Sequence, residues 1–282
     1  MSSLVARLDL ASRMAPLRSA FDVLGPVRPD LASRLGLDHP VPVHCGIHDS
    51  NASLLPHLMT RSSAFSVVST GTWVIGFAIG GDLDHLDPGR DTLANVDAFA
   101  RPVPSARFMG GREYERLAAE IGPAEPAAVA AALPAVLARP TLLLPNVAEG
   151  SGPFPGRKAR WVNAEGASTQ ERHAAVALYL ALMTETSLSL LARSGPIIVE
   201  GPFASNPLYL RALATLTGAE VIAAAGSTGT TAGAALLTGI TPPPQNGPSI
   251  SPDGLNLTAY RRCWLEALAA EDMTGSAHAE TT

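Results

Sequence analysis

The chain has 282 residues, of which 46% are hydrophobic and 16% charged, enough apolar material for a large core and far from a disordered composition. Twenty Lys and Arg against 25 Asp and Glu leave a net charge of −5. That balance excludes a general nucleic-acid or anionic-membrane binder, which needs a basic face to release counterions.

The first nine residues carry Arg7 but no apolar run after it, so no secretory signal is read there. Up to Pro40 the chain alternates short apolar groups with Pro16, Pro26 and Pro29, as a segment crossing a surface would. A short helix is expected over 30–37, stopped at Gly36. Val41 to Ile47 reads as a short buried strand running into His48-Asp49-Ser50-Asn51, with a helix over 52–58 capped by Ser50 or Asn51. Cys45 and the distant Cys263 form no C-x-x-C pair, so a disulfide framework or closed zinc site is not expected and a reducing cytoplasm is the simplest compartment.

Ala64 to Ser69 and Thr72 to Ile79 are β-branched and aromatic runs around Thr70-Gly71, the pattern of a hairpin. Residues 94–99 and 106–109 extend the same sheet, and Gly110-Gly111 opens a helix over 112–121. An alanine-rich surface helix is expected over 124–137. The longest nearly apolar run, Pro126 to Ala138, is broken by Pro134 and short of the roughly 20 residues that span a bilayer. A strand at 141–144 enters a Gly- and Pro-dense loop, 145–156, long enough to be functional or mobile. The single lysine, Lys158, follows in Pro155-Gly156-Arg157-Lys158-Ala159. The chain therefore has no G-x-x-x-x-G-K-[ST] phosphate loop, and no lysine Schiff base unless Lys158 carries it.

The strongest helix signal begins at the capping box Ser168/Glu171, with Val176, Tyr179, Leu180, Met183, Leu190 and Leu191 on one face and Gly195-Pro196 as the stop. Ile197 to Glu200 is a short buried strand ending at Gly201. Asn206 caps a helix that opens with Pro207 and ends at Gly218. A strand at 220–225, the turn 226–230 and a small-residue helix to Leu237 complete a β–turn–α–β–turn–α run. The fold class is α/β, helices packed on a largely parallel sheet. A last helix over 257–269 follows a proline-rich stretch, and residues 271–282 are expected to be disordered.

Three Gly/Ser/Thr turns follow strands: Ser69-Thr70-Gly71-Thr72, Gly201 to Asn206, and Gly226 to Thr230. Each offers backbone N–H groups without bulky side chains, and two open helices, which suits a phosphate. Each is equally a plain hairpin tip or capped helix start, but three together favour a nucleotide. Asp49, where a strand ends, is the candidate acid/base; the position also suits a helix cap, and the residues alone leave both roles open. His44, His48 and Asp49 raise a metal site. On a strand, however, the two histidines would lie about 13 Å apart, too far to share one ion.

Gly46-Ile47-His48-Asp49-Ser50-Asn51-Ala52 followed by Ser69-Thr70-Gly71-Thr72-Trp73 resembles the FGGY family of carbohydrate kinases, in wording nearest the fuculokinase- and rhamnulokinase-like subgroup. Val199-Glu200-Gly201-Pro202-Phe203-Ala204-Ser205-Asn206 and Gly233-Ala234-Ala235-Leu236-Leu237 resemble its adenosine-binding turn and the helix after it. The resemblance implies an actin-like, ribonuclease-H-like ATPase fold with ATP and Mg2+ in a cleft between two α/β domains. It implies Asp49 as the catalytic base, His48, Asp49 and Asn51 at the sugar, and Ser69, Thr70, Gly71 and Thr72 at the phosphates. Gly201, Ser205 and Asn206 would lie near adenosine, and no metal ligand of the chain's own is implied. Pro202 and Phe203 depart from a motif usually richer in glycine.

The family's first phosphate hairpin, of Asp-x-Gly-Thr type, has no counterpart before Asp49. The expectation is therefore residues 1–60 as the remnant of a first kinase domain, 61–240 as the C-terminal nucleotide-binding domain, and 241–282 as a tail with one short helix. The activity implied is ATP-dependent phosphorylation of a small sugar, a ketose, in the cytoplasm, with a separate N-terminal half or a homodimer partner. The alternatives are a catalytically incompetent nucleotide-binding fragment and, more weakly, a metal-dependent hydrolase.

Overall fold

A computed structural model describes residues 3–224, 229–241 and 247–279. Along the chain the elements are α1 (Ser3–Arg7), β1 (Val23–Pro26), α2 (Pro29–Leu35), β2 (Pro42–His44), α3 (Asp49–Thr60), β3 (Phe65–Thr70), β4 (Val74–Ile79), β5 (Thr92–Val96), β6 (Pro102–Phe108) and α4 (Gly110–Ile121). They continue with α5 (Pro126–Ala138), β7 (Leu142–Leu144), β8 (Arg160–Val162), α6 (Thr169–Ser189), β9 (Ile197–Glu200), α7 (Pro207–Thr217), β10 (Val221–Ala223), α8 (Gly229–Leu237), β11 (Ser249–Ile250) and α9 (Thr258–Ala279).

Seven strands form one mixed sheet in the order β11-β10-β9-β3-β4-β6-β5. β3, β9 and β10 run parallel, whereas β4, β5, β6 and β11 pair antiparallel with their neighbours. The two-residue period of a strand sorts its side chains between two helical layers. Val68, Val74, Ile197, Val199 and Val221 pack into the cluster that contains α6 and α7. Phe65, Val67, Phe77 and Ile198 point the other way and pack with Leu54 of α3. In the parallel register Ser69 lies opposite Glu200, so the C-terminal ends of β3 and β9 arrive side by side.

Local signals explain most element ends. Gly36 closes α2 in the left-handed conformation at φ 66°. The Ser168 hydroxyl accepts from Glu171 N while the Glu171 carboxylate accepts from Ser168 N, so the capping box forms as expected. Asn206 caps α7, Pro207 is its first residue and Gly218 ends it. α6 departs from the expected single face, because the unbroken run Ala174–Glu185 is buried all round. Its alanines let the sheet, α5 and α7 approach it closely.

Other expectations are corrected. The strand expected at 41–47 is only Pro42–His44 and is not buried, because it pairs with β1 in a separate two-stranded sheet and not with the main one. α3 begins at Asp49 with His48 as its cap residue, so Ser50 and Asn51 lie within the helix and cap nothing. The 145–156 loop is tied down. Asn146 is buried, Glu113 accepts from Ala148 N, Asp91 accepts from Gly152 N, and Pro153 O accepts from Arg90. β8, pairing with β7, carries no sequence signal that set it apart from that loop. α9 continues past residue 269 to Ala279. Among the described residues, no single helix is long and apolar enough to cross a membrane.

Candidate functional site

β3 ends at Thr70, and the three-residue tip Gly71-Thr72-Trp73 turns the chain into β4, closed by Gly71 N donating to Trp73 O at 2.9 Å. Gly71 and Thr72 are exposed, and the ring of Trp73 lies beneath the guanidinium of Arg107 at 4.9 Å. The head of α4 abuts this tip. Arg112 N donates to Thr72 O at 3.2 Å, and a Cβ on Gly111 would come within 1.8 Å of Gly71 O.

The second turn meets the first through Thr70. Its buried hydroxyl donates to Glu200 O and accepts from Phe203 N at 3.1 Å. Gly201 follows β9 with φ 80°, and a Cβ there would lie 1.9 Å from Thr70 O, so only glycine fits. Pro202–Ser205 forms a short 3-10 turn with Phe203 buried and Ser205 exposed, and Asn206 Oδ1 accepts from Tyr209 N at 3.1 Å. A cleft of about 630 Å³ opens beside this turn, walled by Tyr114 and Ala118 of α4 and by Pro202, Phe203, Asn206 and Pro207. Ser205 and His173 also line it. The Tyr114 and Phe203 rings sit edge to face, 6.0 Å between centroids.

α3 brings the third component. Asp49 is its first residue and is exposed, with Oδ1 accepting from Ser50 N at 2.6 Å and lying 2.8 Å from His48 Nδ1. His48 Nδ1 also lies 2.9 Å from Ser50 Oγ. Thr230, in the first turn of α8, donates to Asp49 O at 3.3 Å, so the heads of α3 and α8 meet. Asn51 is buried and donates to Asn95 of β5 at 3.0 Å, while its own Oδ1 has no hydrogen-bond partner among the described residues. Ser69 is half-buried opposite Glu200, with its neighbour Thr70 making the cross-links. Of the third turn, Gly226, Ser227 and Thr228 lie outside the described residues.

Several contributors were assigned no role from the sequence. Glu200 and His57 form a buried pair, Nε2 to Oε1 2.7 Å. Tyr114, on a helix read only as following Gly110-Gly111, walls the cleft. A buried glutamate at the end of an apolar strand was the available signal for the first. Among the described residues no group of three His, Cys, Asp or Glu could hold a metal ion, so His44, His48 and Asp49 do not assemble into one.

A family model for the FGGY carbohydrate kinase C-terminal domain matches residues 62–246. The chain is similar over 94% of its length to a carbohydrate kinase from Novosphingobium aromaticivorans, at 37% identity and a TM-score of 0.81, covering 61% of that protein. It superposes on a ligand-bound xylulose kinase from Lactobacillus acidophilus with a TM-score of 0.79 at 15% identity, covering all of this chain and 62% of that one. For a Plasmodium falciparum glycerol kinase with ADP the TM-score is 0.72 at 11% identity, covering 97% and 59%. No curated protein matches the sequence. The fold is that of an actin-like ATPase lobe, a mixed sheet with packed helices. The chain belongs to the FGGY carbohydrate kinase family. It spans about three fifths of the length of the solved relatives that it matches.

Proposed function

We propose that the chain is the nucleotide-binding part of a kinase that transfers a phosphoryl group from Mg·ATP to a hydroxyl of a small sugar. The observation that carries this reading is the meeting of three segments, the hairpin tip at Gly71, the turn at Gly201 and the head of α3 at Asp49, through Thr70, Glu200 and α8. Phosphoryl transfer needs positioning and charge stabilisation more than covalent chemistry, so amide-rich turns and one carboxylate suffice without a phosphate-loop lysine.

The residues present fit a nucleotide. Gly71 and Thr72 stand exposed at the tip of the hairpin, where the β- and γ-phosphates would lie, with Gly71 N–H closing the tip onto Trp73 O and Ser69 and Thr70 fixing the strand beneath them. Ser205 and Asn206 border the cleft whose aromatic wall suits a purine, and Gly201 starts the turn that carries them. Mg2+ fits as an ion carried by the phosphates, since it is ordinarily held through one or two carboxylates plus phosphate oxygens and water. When bound, ATP supplies the phosphoryl group. Asp49 accepts the proton of the sugar hydroxyl as its oxygen bonds to the γ-phosphorus and ADP leaves. The Ser50 N–H and the His48 ring fix the direction of that carboxylate. His48, exposed at the cap of α3, would meet the sugar, and Asn51 would support the same site from its buried place against Asn95.

A ketose as substrate, the fuculokinase- and rhamnulokinase-like subgroup, and a cytoplasmic location are part of this reading. The exposed apolar side chains Leu8, Leu17, Val23, Leu24, Leu35 and Val43 support a further polypeptide lobe seated on residues 4–43, supplied by a separate N-terminal half or a second copy. The second reading is nucleotide binding without transfer. The experiment is calorimetry with Mg·ADP followed by phosphoryl transfer to a panel of ketoses, comparing the chain with Asp49→Asn. Binding with Asp49-dependent transfer supports the kinase reading, and binding without transfer supports the second. Equal transfer rates for the two proteins would remove Asp49 as the base.

A further inference from the structure

We infer that His57 and Glu200 are a positioning pair that holds the Asp49-bearing helix in register with the turn at Gly201; the inference rests on the kinase reading above. Both side chains are nearly inaccessible, 9% and 5% exposed, and His57 Nε2 lies 2.7 Å from Glu200 Oε1. His57 lies eight residues along α3 from Asp49, about 12 Å at the rise of a helix, so it touches no reacting atom. Its action is on other groups.

One carboxylate joins three elements. Glu200 is the last residue of β9, and its own backbone carbonyl accepts from Thr70 one peptide before Gly201. Its side chain takes the hydrogen bond from α3. Gly229, the first residue of α8, faces the same carboxylate so closely that a Cβ would lie 2.4 Å from Oε2 and 2.5 Å from Oε1. α8 in turn returns to Asp49 through Thr230. The contacts form a closed circuit: Asp49 to His57 along α3, then Glu200, then α8, then back to Asp49.

Stability does not account for such a pair. A buried polar pair returns little beyond the cost of taking both groups out of water, and well-packed apolar residues of similar volume commonly do as well or better. What the pair supplies is direction. It sets the rotation of α3 about its axis and the tilt of the peptide that starts the nucleotide turn, and a displacement near 1 Å is costly in transfer reactions.

The test uses His57→Leu, which removes the hydrogen bond, and His57→Gln, whose amide reaches the same oxygen, with Mg·ADP affinity read by calorimetry. His57→Leu is expected to weaken Mg·ADP binding about tenfold, and His57→Gln to restore it to within about twofold. In the unaltered chain labelled with 15N-histidine, the His57 ring signals, identified by their loss in His57→Gln, are expected to shift on addition of Mg·ADP. Equal affinities in all three proteins, or equal losses in both variants, overturn the inference. Should His57→Leu not fold, the ring signals decide: unmoved at saturating Mg·ADP, they overturn it. Absence of Mg·ADP binding by the unaltered chain overturns the kinase reading itself, a different failure.

Discussion

Gly233 of α8 packs directly onto the carbonyl of Ala52 in α3, so that a Cβ built on the glycine would lie 1.8 Å from the oxygen. Pro56 lies inside α3 and has no N–H, so the Ala52 carbonyl receives no i+4 hydrogen bond and faces the neighbouring helix unscreened. Only a residue without a side chain lets the two helices close over it. Gly233→Ala is expected to destabilise the fold by about 1–3 kcal/mol through overpacking. Gly156→Ala, where the added methyl meets nothing within 4 Å, is expected to be neutral or slightly stabilising. Urea denaturation of the two variants measures the difference, and equal midpoints would refute the tight crossing.

Thr70 carries a heavier load than its place at a hairpin end suggests. Thr70→Val keeps the shape but leaves Glu200 O and Phe203 N, both inside the fold, without their partner. Stability is expected to fall by about 1–3 kcal/mol, with Mg·ADP affinity falling as the Gly201 turn loosens. Thr70→Ser restores the hydroxyl and is expected to recover most of both. Calorimetry and thermal melting of the pair check it; a Val variant indistinguishable from Ser would show that the hydroxyl does not organise the turn.

The hairpin, the Ser168 capping box and the Asn206–Pro207–Gly218 helix were legible in the sequence because each is written in adjacent residues with strong local preferences. Asp49 was legible as a candidate, but its helix start was not, since the Ser50 side chain meets the neighbouring His48 ring and Asn51 reaches Asn95 of β5, and neither serves as the cap. β1 and β8 were not legible, being short strands whose only support is a single partner far along the chain. His57 and Glu200 stand 143 residues apart, and nothing local in either says that the other exists. Function followed the same division. The turns declare themselves by glycine and hydroxyl content, whereas the aromatic wall of the cleft depends on how α4 brings Tyr114 against Phe203 in the turn after β9.

Glu113 makes stability depend on pH. Burial is the main cause that raises its carboxyl above the ordinary value of 4.5, only partly offset by hydrogen bonds from Ala148 N and the Tyr179 hydroxyl. Between 4.5 and the raised value the folded chain keeps a proton that the unfolded chain has released. Stability contributed by this group is therefore full below 4.5 and falls as pH rises through that window. Glu113→Gln removes the titration. The melting temperature of the unaltered chain minus that of Glu113→Gln is expected to decline from pH 4.5 upward and then level off. A difference constant with pH would show that Glu113 is not the titrating group.

The cleft makes the last prediction. Tyr114 is 37% exposed at its mouth, whereas Phe203 is buried behind it, held by Tyr209 at 5.2 Å between centroids. The two rings therefore differ in what they can do: Phe203 shapes the turn, and Tyr114 is free to cover a planar base. Aromatic stacking on a nucleobase is worth about 1–3 kcal/mol. Tyr114→Ala is expected to weaken Mg·ADP binding by that amount while leaving the binding of inorganic triphosphate unchanged. Its effect on folding is expected to stay within about 0.5 kcal/mol, as for other exposed positions. Phe203→Ala, in contrast, is expected to lower stability and to weaken both ligands together, because the turn between β9 and α7 loses its anchor against Thr70 and Tyr209. Parallel titrations of ADP and triphosphate against the two variants separate the roles, and an equal loss of both ligands in Tyr114→Ala would mean that the base does not lie in this cleft.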